Sequence, residues 1–485
     1  LIRNDALSVA LDAGENPYLL GPYAPVDREI DAEDLEVIGA IPADLEGLYV
    51  RNGPNPRHPT IGRYHWFDGD GMLHALHFEG GKASYRNRWI RTEGFAREAE
   101  AGRALWKGMA EPRTENPDDG SRLRLKDVAN TDVKFHNGNL IALWYLAGTP
   151  YRVDPVSLET IGPETWNDTR TTCVSAHAKI DPLTGEFCFF DYGPVPPYMQ
   201  YGVVSPDGEV THLAEIDLPG PRMPHDMAIT ENHSILMDLP LVVDAAARQA
   251  GRHRLEFLRD TPARFGIVPR HGSAVRWFEA EPCYIYHSIN AWEEGDEIVM
   301  DVCRFRPPGP PAIPLNGPLA SILNYLRLDA FVHRYRFDLL TGRTREERLD
   351  DANTEFPMID PSRFGRKNRF AYTVSINSDV TMYFDGVVKH DLQTSTSTRY
   401  TFGEGRFGSE APFAPRRPQR SEDDGYLLSF VYDAATARSE VVVLDAADLE
   451  AGPVCRVLLP VAVPNGFHAC WVPADDLDRA RKTVS

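Results

Sequence analysis

Fifteen of the 485 residues are histidine. Imidazole is the physiological proton shuttle and the commonest side-chain ligand of transition metals. An isolated histidine usually serves only packing or solvation, so a ligand role needs a distinctive setting. Four histidines have one. His177 lies in V-S-A-H-A-K-I-D-P, just ahead of a turn, and His225 in M-P-H-D-M-A-I-T-E-N-H, with Asp226 beside it. His287 is flanked by aromatics in Y-I-Y-H-S-I-N-A-W-E-E-G, and His468 sits in V-P-N-G-F-H-A-C-W-V. Their wide separation is unlike the local spacing of two histidines on one helix face. A shared metal site would require distant strands to converge on one point, and imidazole alone suits iron, zinc, copper or nickel equally. His58, His65, His74, His77, His136, His233 and His271 have no comparable setting and read as structural.

The elements that would bring four such residues together are indicated by the turn chemistry. Short β-type runs recur around V-D-P-V-S-L-E-T at Asp154, I-D-P-L-T-G-E-F at Asp181, V-S-P-D-G-E-V at Ser205, W-E-E-G-D-E-I at Trp292, F-D-L-L-T-G-R-T at Asp338 and L-D-A-A-D-L-E-A-G at Asp445. Asp, Pro and Gly supply the turn conformations that reverse a strand. Many short antiparallel strands without alternating helices predict an all-β architecture. At this length a propeller of several four-stranded blades fits better than a sandwich, and its inner strands would converge on one axis. Two sandwich domains would call for a polar linker. The Pro-rich stretch at 306–314 is short and bounded by apolar segments, so residues 1–485 read as a single domain. Two helices are expected, at Asp244–Leu258 and Leu319–Phe331. The second carries Leu319, Ile322, Leu323, Leu326 and Phe331 as an apolar stripe, which packs on a propeller face or, in the sharper reading, touches a membrane.

Composition removes several classes of function. Lys+Arg 51 against Asp+Glu 71 gives a formal charge of −20, which repels phosphate backbones and argues against nucleic acid as a partner. Six cysteines without a C-x-x-C pair exclude zinc-ribbon and thioredoxin-type sites and suit a reducing compartment. No charged-then-apolar leader is evident, and no apolar run approaches the roughly 18–20 residues of a membrane span. The expectation is a soluble, cytoplasmic protein, of open oligomeric state, with at most peripheral membrane contact through 319–331.

The four histidine segments, in order, resemble the carotenoid cleavage oxygenase family. The resemblance covers nearly the whole chain: G-x-I-P-x-D-L-E-G-L-Y-V-R-N-G-P-N-P (Gly39 to Pro56), W-F-D-G-D-G-M-L-H (Trp66 to His74), N-T-D-V (Asn130 to Val133), E-F-P-M-I-D at Glu355, G-R-x-x-R at Gly365, E-A-P-F-A-P-R-R-P at Glu410 and the closing G-F-H. It implies a seven-bladed β-propeller capped by loops and helices over its iron-bearing face. It also implies one Fe(2+) per chain, held by His177, His225, His287 and His468, with Glu355 and Glu410 accepting protons from two of those rings. Where many relatives carry a third glutamate, this chain reads A-L-W-Y-L-A-G-T-P-Y, with Tyr145 or Leu146 at that place. A carbonyl, a water or the Tyr145 hydroxyl would then orient the remaining ring. Thr131 matches a position that shapes access of O2 to the metal.

Such a site implies a dioxygenase that adds both atoms of O2 across one C=C bond and releases two carbonyl products. No G-x-G-x-x-G motif opens a βαβ unit to bind a reducing cosubstrate. Relatives that cleave hydroxystilbenes carry a tyrosine and a lysine that read the phenol. Here Met109 occupies the first place and Trp144 or Tyr145 the second, and a buried phenol without partners costs about 1–3 kcal/mol. An apolar conjugated alkene of the apocarotenoid or carotenoid kind is therefore expected, with Met109, Trp144, Tyr145 and Leu146 as candidate pocket walls. The alternatives are cleavage of hydroxystilbenes or phenylpropenes (lignostilbene or isoeugenol type) to aromatic aldehydes, and a catalytically silent propeller used for binding.

Overall fold

A computed structural model describes residues 16–109, 111, 125–167, 173–244, 246, 249, 255–305, 328–378 and 381–484. Seven antiparallel sheets of four or more strands are arranged as a propeller. Their innermost strands run, in ring order, Ala469–Pro473, Asp132–His136, Lys179–Ile180, Ala228–Ile229, Tyr284–Glu294, Thr354–Met358 and Phe413–Pro415. Numbered in that order, the blades place His468, His177, His225 and His287 on, or one to three residues ahead of, the inner strands of blades 1, 3, 4 and 5.

The predicted turns form as their residue types require. Asp154, Asp181 and Asp338 each accept backbone N–H groups two and three residues ahead, and Gly185, Gly208, Gly295 and Gly342 take positive φ at hairpin ends. The hairpin at Tyr284–Glu294 and Glu297–Phe305 shows the result, with Glu294 opposite Glu297 across a two-residue turn.

Seven apolar clusters lie between blades, one between each pair of neighbours. Between blades 4 and 5, for example, Ile235, Met237 and Phe265 pack on Ile298, Met300 and Tyr335. The hydrophobic effect thus glues blade to blade and leaves the axis free for polar groups. An eighth cluster caps one face of the axis: Tyr18, Tyr23, Tyr64, Trp66, Leu328, Phe356, Met382, Phe384 and Phe467.

The ring closes through blade 1. Ala469–Pro473 pairs with Gly47–Pro54, and an early strand, Val37–Gly39, forms the outer edge of blade 7 against Pro453–Leu458. Closure demands close backbone approach. A Cβ on Gly53 would lie 2.8 Å from the Gly466 Cα, and one on Gly466 would meet Arg51 Nε at 2.8 Å. Only glycine at both positions lets the G-F-H segment lie against this strand.

The helical expectations fare differently. Most of Asp244–Leu258 and most of Leu319–Phe331, with the stripe residues Leu319, Ile322, Leu323 and Leu326, lie outside the described residues. Where they are described, Ala246 and Gln249 are helical as expected, whereas Leu255–Phe257 pairs as a strand with Leu241–Val243, and Ala330 and Phe331 begin the strand Ala330–Asp338. Leu255 and Phe257 follow a period of two, and the hairpin partner overrides helix propensity there. Among the described residues no helix is long and apolar enough to cross a membrane.

Candidate metal centre

Local irregularities aim two of the four imidazoles, those of His287 and His177, at the axis. The ladder between Tyr284–Glu294 and its partner slips twice, between Ile285 and Ser288 and again before Asn290, and such bulges re-aim a side chain. His287 lies within the first slip. His177 holds φ at +71°, a conformation that costs a non-glycine residue energy and persists where the surroundings over-determine it. Its backbone N–H donates to Asp132 Oδ2 at 2.9 Å. His468 is fixed by its own backbone, donating N–H to the Thr131 carbonyl (3.1 Å) and accepting from Asn52 N–H (2.9 Å).

The rings converge. Centroids lie 4.6 Å apart for His177 and His225, 4.5 Å for His177 and His468, 4.7 Å for His287 and His468, and 5.3 Å for His225 and His287. One ring nitrogen from each of His177, His225 and His287 falls within a 4.8 Å cluster. All four residues are buried.

Carboxylates behind the rings decide which nitrogen faces inward. Glu410 Oε1 pairs with His468 Nδ1 at 2.9 Å, while Oε2 accepts the Ala469 N–H. Glu355 Oε2 pairs with His287 Nδ1 and also accepts the Phe356 N–H at 2.6 Å. With Nδ1 engaged, Nε2 is the free ligand atom. The Nε2 atoms of His177 and His287 are buried and have no hydrogen-bond partner among the described residues. An unmet buried nitrogen costs about 1–3 kcal/mol, and a cation at the convergence point would remove that cost. The residues therefore fit a metal, and the all-imidazole donor set suits iron among the first-row ions. Burial, reinforced by the neighbouring rings and by Lys179, holds His177, His225 and His287 well below the ordinary imidazole range. That keeps them in the neutral form a metal needs. Burial also pushes Glu355 well above the usual carboxylate range.

Among the described residues His225 has no carboxylate counterpart of this kind. Its ring lies edge-on to Tyr286 (4.8 Å) and tilted against Tyr145 (6.0 Å). The Tyr145 hydroxyl lies 3.6 Å from Met109 Sδ, so aromatic packing stands where the third glutamate is expected.

Two carboxylates that sequence reading left without a role complete the frame. Asp132 Oδ1 lies 3.1 Å from Lys134 Nζ, with its other oxygen on His177 N–H. Asp226 Oδ1 lies 2.7 Å from Lys179 Nζ, and Oδ2 accepts from both N–H and Oγ–H of Ser288, the residue after His287. Each ties one blade's inner strand to another's. Both sit in motifs already singled out, N-T-D-V and H-D-M, and an acidic residue beside a candidate ligand was the available signal.

Thr131, Tyr145, His225, His287 and His468 line one cavity with Trp66, Phe67, Tyr286, Leu328, Phe356, Met382 and Phe467. Met109, Trp144 and Leu146 line a neighbouring cavity instead, and Tyr145 and Phe67 line both. Sequence reading missed the aromatic lining over the metal site, although Tyr286, Phe356 and Phe467 are immediate neighbours of His287, Glu355 and His468.

Residues 23–473 match the family model described as retinal pigment epithelial membrane protein. The chain is 35% identical to a carotenoid 9,10(9',10')-cleavage dioxygenase of Phaseolus vulgaris, over 96% of this chain and 91% of that one. Among solved structures, it superposes on the lignostilbene dioxygenase of Pseudomonas brassicacearum with a TM-score of 0.85 at 30% identity, covering 95% of this chain and 99% of that one. A variant of the Synechocystis apocarotenoid oxygenase gives a TM-score of 0.84 at 27% identity, with 94% and 99% covered. With the propeller and the buried histidine centre, these matches establish that the chain belongs to the carotenoid cleavage oxygenase family and is an alkene-cleaving dioxygenase.

Proposed function

We propose that the chain binds one iron(II) through His177, His225, His287 and His468 and cleaves one C=C bond of an apolar conjugated polyene of the apocarotenoid kind. The observation that carries the substrate class is the cavity beside three of the four imidazoles. Trp66, Phe67, Tyr286, Leu328, Phe356, Met382 and Phe467 form its wall, and among the described residues no lysine, arginine or carboxylate lines it. Such a wall desolvates and grips a flat, electron-rich chain, and aromatic faces stack on its π-system.

Iron bound there would supply the open coordination position at which O2 is activated. The protein's own residues do the rest. Glu355 and Glu410 hold the rings of His287 and His468 in one tautomer. Thr131 is locked by a bond to Asn130 Oδ1 (3.0 Å) and by the Tyr145 N–H on its Oγ1 (3.2 Å), so its side chain holds one position in the cavity wall. The aromatic cap excludes water, which protects the alkene–O2 reaction from competing hydrolysis and proton leakage. The balance needs no outside reductant: the alkene loses its C=C bond, O2 loses its O–O bond, and two C=O bonds form.

Product mass spectra from a β-apocarotenal and from 4-hydroxystilbene, run side by side, test the substrate class. Two carbonyl fragments from the polyene are expected. Aldehyde release from the stilbene alone overturns it. Iron bound to anaerobically prepared protein should approach one per chain and fall steeply in His287→Ala.

A further inference from the structure

Phe67 and Tyr145 separate the cavity over the metal site from a second one, of about 60 Å³, and each lines both. The second cavity has a polar wall, with Asp68, Asp70, Glu98, Lys107 and Lys126 in its lining. Most of these charges are committed to one another or to the backbone. Lys126 Nζ bridges Asp70 and Glu98. Asp68 accepts the N–H groups of Met109 (2.9 Å) and His65 (2.8 Å), and Glu98 accepts that of Leu105 (2.8 Å).

Two neutral donors in the same wall are not committed. Trp106 and Trp144 are only 8% and 9% exposed, and the indole nitrogen of each is buried without a hydrogen-bond partner among the described residues. His58 Nε2, also in this wall, is in the same condition. Buried tryptophan nitrogens normally find an acceptor. An indole N–H can only donate, so the missing partner carries a lone pair. Three carboxylates against two ammonium groups in the lining disfavour an anion. What fits is a neutral oxygen.

We propose that Trp106 and Trp144 donate their indole N–H groups to a hydroxyl or carbonyl oxygen at the end of the substrate whose double bond lies over the metal site. They would take over the reading of an oxygenated end group, by neutral donors, in a chain with methionine, and tryptophan or tyrosine, at the places where stilbene-cleaving relatives carry tyrosine and lysine. The inference rests on the alkene-cleaving reading of the neighbouring cavity, with Phe67 and Tyr145 as the wall between the two.

The test compares substrates that differ only in that oxygen: a β-apocarotenal against the hydrocarbon of equal length, and 4-hydroxystilbene against stilbene. The first pair reports a carbonyl, the second a hydroxyl. In wild type, kcat/KM should favour the oxygenated member of at least one pair by about fivefold or more, mostly through KM. Trp106→Phe and Trp144→Phe keep ring and packing but lose the donor, and each should lower that ratio about threefold or more. A ratio near one in both pairs overturns the proposal. So does a fall in kcat/KM that is equal for both members of a pair, since that marks a packing role. Calorimetric binding of 4-hydroxystilbene and stilbene to metal-free protein supplies the same ratio without turnover. A preference there that the phenylalanine variants abolish sustains the proposal even if neither pair is cleaved, and the absence of a preference in both formats refutes it.

Discussion

Glu355 and Glu410 play the same part in the sequence pattern but differ in how they use their oxygens, and isosteric substitution by glutamine should separate them. In Glu410 both oxygens are taken: Oε1 by His468 Nδ1 and Oε2 by the Ala469 N–H. Whichever way a glutamine is turned, its NH2 group meets a donor, one hydrogen bond is lost and two N–H groups face each other. In Glu355 a single oxygen, Oε2, receives both His287 Nδ1 and the Phe356 N–H, while Oε1 is buried with no partner among the described residues. Glutamine can put its carbonyl at the Oε2 place and keep both bonds, its NH2 taking the place of an oxygen that already lacks a partner. Loss of an outer-shell partner typically weakens metal binding about 10–100-fold. Glu355→Gln should sit near the lower end. Glu410→Gln in addition loses a hydrogen bond and sets two buried N–H donors against each other, at a cost of roughly 1–3 kcal/mol, which is about 5–150-fold more. Chelator-competition titrations of Fe(II) or Co(II) under anaerobic conditions measure the difference, with circular dichroism confirming the fold. Equal losses in the two variants, or a larger loss in Glu355→Gln, would refute the reasoning.

Three further outcomes follow from the centre's geometry. Because burial holds His177, His225 and His287 well below the ordinary range, metal affinity should change little between pH 7.5 and 5.5. Three imidazoles titrating near 6.5 would lose about 10³-fold over that interval, and a loss of that size in a metal titration would contradict the neutral assignment. Tyr145→Phe removes a hydroxyl that faces Met109, so metal affinity should stay within about threefold of wild type; a drop of tenfold or more would show that the hydroxyl orients His225. Asp226→Ala deprives the Ser288 N–H, the Ser288 Oγ–H and the Met227 N–H of their acceptor and leaves Lys179 without its carboxylate, for an expected loss of about 3 kcal/mol in urea unfolding. Pairing it with Lys179→Met should recover part of that, and a double variant as weak as the single would show that Lys179 is not the source of the cost.

The fold class and the buried histidine cluster were legible in the sequence for different reasons. Asx-type turns at Asp154, Asp181 and Asp338 announce hairpins because their side chains bond their own backbone, a local interaction that survives in any context. The four histidines were legible only through their flanking motifs, since nothing in the spacing of His177 and His468 reveals that their rings meet at 4.5 Å. What stayed hidden depends on long-range packing. Leu255–Phe257 becomes a strand because Leu241–Val243 is there to receive it. Trp66 and Phe67, far from the histidines in sequence, come over the metal site through the cap cluster. The roles of Asp132 and Asp226 are set by backbone N–H groups on other blades, which no one-dimensional pattern displays.

The closing strand also dictates the timing of maturation. His468 lies one residue ahead of Ala469–Pro473, the strand that seals the ring against Gly47–Pro54. Until the ribosome has passed this point, a nascent chain can present three imidazoles at most, with His468 and its Glu410 clasp missing. A half-made propeller thus lacks the complete histidine cluster, which forms only once the closing strand has found its partner.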